Sequence, residues 1–129
     1  MKPEELVQIA KNHVAKNKVN AHHSSLIAMM HNAMQKGFKL YRTHDTIFTY
    51  LPQGSNVYFG IVDGGSAKDF LSASEKFINQ LRIHGFKTVS LYTDKPDYAK
   101  RVMTRCGITR IHHETHIKEV DPYLMRGTL

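Results

Sequence analysis

NVYFGIVDGGSAKDFLSASEKFINQLRIHGFKTVSLYTDKPDYAKRVMTRCG occupies residues 56–107, and its changes of period decide the fold. Val57, Tyr58, Phe59, Ile61 and Val62 form a β-prone run that stops at Asp63-Gly64-Gly65. Ser66 with Asp69 three residues on is the pattern of a helix N-cap whose carboxylate reaches back. Phe70, Leu71, Ser74, Phe77, Ile78 and Leu81 then recur at helical spacing, and Arg82 and His84 suit the negative end of the helix dipole before Gly85. Phe86 to Tyr92 is β-prone again, with Val89 and Leu91 as the expected buried pair. Strand, crossover helix and strand make a βαβ unit. Its strands are expected to be parallel and its crossover, from about Ala67 to His84, right-handed.

The first turn of such a unit admits two readings. Gly64 and Gly65 let the backbone approach a ligand, and the N–H groups beyond Ser66 point out of the helix start, which attracts phosphate. The same glycines also serve as a tight strand-to-helix connection, and the turn alone does not choose between the two.

Upstream, Pro3, Glu4 and Glu5 open a helix whose stripe is Leu6, Ile9, Ala10, His13 and Val14; Lys11, Lys16 and Lys18 fall off it. A second helix starts near Ser24 and ends at Gly37. Its Met29, Met30 and Met34 read as pliable core filling. From Phe38 the period drops to two: Phe38–Arg42, a turn at His44-Asp45, then Thr46–Leu51 and a loop at Pro52–Asn56. With the strand that follows, these form an antiparallel meander.

Downstream, Asp94 is the expected cap of a last helix with Pro96 in its first turn. Ala99, Val102, Met103 and Cys106 give its buried stripe, which makes Cys106 a small apolar residue rather than a nucleophile. Ile108 to Val120 alternates as a strand. Asp121–Leu129, with Pro122 and Gly127, reads as an irregular tail. The expected architecture is thus α/β, more strictly α+β, in a single domain of residues 1–129. A helical pair covers residues 1–37, a mixed sheet with two helices residues 38–120, and the tail residues 121–129.

At 129 residues with 41% apolar and 22% charged content, the chain belongs among globular proteins rather than disordered tails. One cysteine excludes an internal disulfide and fits a reducing compartment. Glu4 and Glu5 stand where a signal peptide would be apolar, and no run has membrane-spanning length, so a cytoplasmic protein is expected. Eighteen basic against 11 acidic residues give +7. That charge favours an anionic partner: a nucleotide cofactor, nucleic acid or an acidic protein. Lys95, Lys100, Arg101, Arg105 and Arg110 concentrate part of it around the last helix.

The order of elements, with a glycine turn at the first βα junction, resembles the GCN5-related N-acetyltransferase (GNAT) superfamily. The resemblance runs from about the second helix onward, by layout more than by identity. The family's pyrophosphate loop is R/Q-x-x-G-x-G/A, which Val62-Asp63-Gly64-Gly65-Ser66-Ala67 matches at the Gly-x-Ala while carrying Val62 at the Arg/Gln position. The resemblance implies that Val62, Gly64, Gly65, Ser66, Ala67 and Lys68 surround the pyrophosphate of acetyl-CoA or another acyl-CoA. The family's Asn at the start of the last helix and its proton-donating Tyr near the end fall on Pro96 and Met103 here. A thioether cannot donate a proton, so the fold is better retained than the catalytic signature. The chain is also similar in size and character to acetyltransferase-like phage proteins, which would place it in a host cytoplasm or a virion.

Nine histidines include His112, His113 and His116 around Glu114. On a strand His112, Glu114 and His116 share a face, but such neighbours are about 6.5–7 Å apart, so a solvated polar face is expected and no metal. Gly-x-Ser-x-Gly, Walker loops and paired Cys motifs are absent, so hydrolase and kinase readings have no support. Three readings of function stand. The first is an acyl-CoA N-acyltransferase-like protein lacking signature residues. The second is a non-catalytic interaction protein on the same fold, of phage virion or host-targeting type, which binds an acidic protein or nucleic acid. The third is a basic nucleic-acid binder unrelated to coenzyme A.

Overall fold

A computed structural model describes residues 2–18, 21–115 and 123–129. Among these residues the chain order is α1 (Pro3–Lys16), α2 (His23–Gln35), β1 (Lys39–Thr43), β2 (Thr46–Gln53), β3 (Asn56–Asp63), α3 (Ala67–Ile83), β4 (Thr88–Thr93), α4 (Pro96–Arg105), β5 (Thr109–Thr115) and β6 (Tyr123–Thr128). The strands form a mixed sheet in the order β1-β2-β3-β4-β6-β5, and the class is α+β. The chain divides into two compact units. One comprises residues 1–50 and 61–73, the other 51–60 and 74–129.

In the first unit His44-Asp45 turns β1 back onto β2, with His44 at φ 54° and the strands antiparallel from Lys39↔Tyr50 to Thr43↔Thr46. Ile9, Met30, Ile47 and Val62 are buried together, with Leu6, Leu26, Ile27 and Leu40 packed against them. Burying such a side chain fully contributes about 1.5–3 kcal/mol each. The methionine expectation holds for one residue of three: Met30 is buried, whereas Met29 is 66% and Met34 45% exposed. Their helix buries a single narrow edge, so only Met30 faces the core.

In the second unit β3 and β4 run parallel from Asn56↔Thr88 to Phe59↔Leu91, as the βαβ pattern requires. Val57, Val89 and Leu91 are buried, and the Phe59 ring lies 5.4 Å from that of Phe77 on α3. Every residue of the α3 stripe from Ser74 to Leu81 is buried. Ser90, between Val89 and Leu91, is buried as well. Arg82 Nη2 donates to the Cys106 carbonyl at 2.8 Å, satisfying an acceptor at the end of α4.

Two expectations are corrected. The tail read as irregular is a strand: β6 lies between β4 and β5, antiparallel to both, with Leu124 and Met125 buried. Gly127 is a packing requirement there rather than a breaker, because a Cβ would fall 2.3 Å from Ile108 Cγ2 and 3.2 Å from Met103 Cε. The N-cap of α4 is Lys95, not Asp94, with no side-chain cap; the Lys95 N–H is bound by Thr93 Oγ1 at 3.0 Å. Pro96 at the first helical position sets this register and leaves Asp94 one residue too early. The Ile108–Val120 strand is observed as Thr109–Thr115, and residues 116–120 lie outside the described residues.

Candidate anion-binding turn

The turn from Val62 to Lys68 belongs to the first unit, and its residues play unequal parts. Val62 is a core side chain, 5% exposed, so only its backbone is available to a ligand. Gly64 is required by packing: a Cβ would stand 2.8 Å from the Ile9 carbonyl oxygen of α1. Its N–H donates to the Asp45 carbonyl at 2.9 Å, and that of Gly65 donates to Asp63 Oδ1 at 3.0 Å. Those two donors are therefore consumed within the protein.

The donors that remain lie at the start of α3. Ser66 Oγ accepts the Asp69 N–H at 3.2 Å, which forms half of the expected capping box. The reciprocal bond from Asp69 to the Ser66 N–H is absent among the described residues; an aspartate is one methylene shorter than the usual Glu. Ser66, Ala67 and Lys68 are exposed, and among the described residues their N–H groups have no protein partner. Three neighbouring donors at the positive end of a 17-residue helix can hold an oxyanion.

Helix α1 holds this turn through residues that sequence reasoning did not place there. Lys16 Nζ pairs with Asp63 Oδ2, donates to the Gly65 carbonyl at 2.8 Å and stands 5.9 Å from the Phe70 ring centre. His13 Nδ1 accepts the Asp63 N–H at 3.1 Å, so in this tautomer the ring proton sits on Nε2. Lys16 and Asp63 are 47 residues apart in the chain, and no local pattern joins them. Asp45, Asp63 and Asp69 also border the turn, a negative surrounding that an anion has to offset.

The remaining signature positions lie in the second unit. Met103 is 3% exposed, its methyl packed toward β6, and Pro96 opens α4 without a side-chain donor. Cys106 is buried, and burial followed by the charge of Glu75 pushes its thiol up to about 11, which keeps it protonated and non-nucleophilic. Tyr98 is 45% exposed with the Arg101 guanidinium 5.8 Å from its ring centre. His112 and Glu114 face Arg126 and Leu124 across β6, while His116 lies outside the described residues. Among the described residues no three His, Cys, Asp or Glu side chains gather as a metal would need, and no helix is long and apolar enough to cross a membrane.

No protein-family model and no curated protein sequence matches the chain. Solved structures do. The microcin C7 self-immunity acetyltransferase MccE, in complex with acetyl-CoA and AMP, superposes with a TM-score of 0.64 at 16% identity, over 98% of this chain and 85% of that one. A putative GNAT-family acetyltransferase from Desulfovibrio desulfuricans gives a TM-score of 0.62 at 10% identity, over 99% and 93%. The chain has the fold of GNAT acetyltransferases.

Proposed function

We propose that this GNAT-fold chain binds acyl-coenzyme A through the Gly64–Lys68 turn and transfers the acyl group slowly or not at all. The observation that carries the reading is the row of exposed, unpartnered N–H groups at Ser66, Ala67 and Lys68. MccE, which shares the fold, was solved with acetyl-CoA, and the glycine turn of this chain stands at its first βα junction, between β3 and α3. When bound, an acyl-CoA supplies an activated thioester. This chain's own part is to hold the pyrophosphate on backbone donors, with the Lys16 ammonium beside the turn offsetting charge. The residues present fit binding better than chemistry: Met103 is a buried thioether without a proton to give, and Cys106 is buried and protonated.

The test is calorimetry with coenzyme A and acetyl-CoA, alongside thermal unfolding. Saturable heat and a raised midpoint are expected, because a ligand that binds only the folded chain must stabilise it. Gly65→Asp should remove both, since its side chain would crowd Asp69, 3.2 Å from the added Cβ, and bring charge to the phosphate position. Circular dichroism of the variant separates lost binding from lost folding. Acyl transfer is expected well below the order of 1 s⁻¹ of ordinary enzymes. No saturable signal with wild-type protein would overturn the reading.

Buried Met103 also favours a second reading, a non-catalytic interaction protein whose exposed basic face on α4, Lys100, Arg101 and Arg105, meets an acidic protein or nucleic acid. Salt-dependent binding to DNA without a coenzyme A signal would move the conclusion there.

A further inference from the structure

The second unit carries a groove of about 460 Å³ on the sheet face turned away from the Phe59–Phe77 contact, and the Gly64–Lys68 turn has no part in it. Strand register explains its lining. Asn56, Thr88 and Thr128 lie in one row across β3, β4 and β6, and Tyr58, Ser90, Arg126 and His112 lie in the next. Directly paired residues share a face, so both rows open on the same side. Arg110 joins them through a bulge: β5 advances three residues from Thr109 to His112 while β6 advances two, and Arg110 takes the left-handed φ of 53°. A bulge re-aims a side chain out of strict alternation, and a left-handed arginine is a strained way to do so.

The chemistry of the lining is one-sided. Arg110, Arg126 and His112 are basic, and no lining side chain is a carboxylate. The neighbouring Glu114 forms a long, half-exposed ion pair with Arg126, Oε1 to Nε 3.9 Å. Asn56 Oδ1 accepts from Thr88 Oγ1 at 2.8 Å and from Ser90 Oγ at 3.3 Å, which fixes its amide orientation. Its Nδ2 hydrogens then have no partner among the described residues. His112 Nδ1 donates to the Arg110 carbonyl at 3.3 Å, so Nε2 of the neutral ring is an acceptor and adds no donor for an anion. The free donors of the groove are thus the two guanidiniums and the Asn56 Nδ2 hydrogens. Arg126 is only loosely neutralised by that long pair and Arg110 has no ion pair among the described residues, so an oxyanion between the two guanidiniums would gain charge-assisted hydrogen bonds.

We propose that this groove binds a small organic anion through its phosphate or carboxylate group, with the Arg110 and Arg126 guanidiniums as anchors and Asn56 Nδ2 as the neutral donor. The inference does not depend on coenzyme A binding. It uses different residues and concerns equilibrium binding only.

The test is calorimetry and amide-shift mapping on the full chain with AMP, citrate and adenosine as probes. AMP, citrate or both should saturate at about 1 mM or below, with shifts centred on β3, β4, β5 and β6, and adenosine should not. AMP alone assigns a phosphate group, citrate alone a carboxylate. Arg110→Gln with Arg126→Gln should weaken binding roughly tenfold or more and move the ligand-free unfolding midpoint little, since among the described residues it removes only the long, half-exposed Arg126–Glu114 pair. Lys76→Gln, which removes one positive charge from the exposed face of α3, should bind as wild type. The proposal falls if neither anion saturates, if the double variant binds unchanged, if Lys76→Gln weakens binding equally, or if the shifts centre on Ser66–Lys68.

Discussion

Cys106 shows how one side chain's setting decides its chemistry. It sits on the buried stripe of α4, and burial, with Glu75 adding to it, raises the thiol to about 11. The folded thiol holds its proton more tightly than the unfolded one. Its contribution is therefore complete below about pH 9 and is lost as pH rises toward 11. Unfolding free energy should fall across that window, and Cys106→Ala should remove part of the slope, as denaturant titrations at each pH would show. Iodoacetamide at pH 8 should label the native thiol slowly and the denatured one quickly. Rapid native labelling would mean the thiol is neither buried nor protonated as described.

Among the elements, β6 differs most from its appearance in the sequence. Tyr123-Leu124-Met125-Arg126-Gly127-Thr128 contains a glycine that reads as a breaker, yet the glycine is what lets the strand pack against Ile108 and Met103. Gly127→Ala should cost about 1–3 kcal/mol, because the new Cβ would overlap Ile108 Cγ2. Equilibrium unfolding measures this directly, and an unchanged midpoint would show that the contact relaxes freely. In the glycine turn before α3, Gly64 is structural, wedged at the Ile9 carbonyl, while the N–H groups of Ser66 to Lys68 have no protein partner among the described residues.

At the scale of the whole molecule, β6 is bonded to β4 on one side and β5 on the other, so β5 has no other link to the sheet among the described residues. Deleting residues 123–129 should abolish cooperative unfolding of the chain, read by circular dichroism against denaturant. A truncated chain with the wild-type midpoint would show that β6 is dispensable. The helical pair, the β1–β2 turn at His44-Asp45, the parallel β3–β4 pair and its crossover helix were all legible in the sequence, because each is written in local periods of two or 3.6 and in cap residues nearby. Met103 and Pro96 at the signature positions were legible for the same reason, as identities at fixed spacing. Tertiary structure alone decided that Lys16 and His13 hold the turn, that Gly64 has no room for a side chain and that Met29 is exposed. It also inserted the last strand between β4 and β5 and brought Arg126 and Arg110 to one groove. These features depend on strand register, a bulge and contacts between residues far apart in the chain, and no local window of sequence contains both partners.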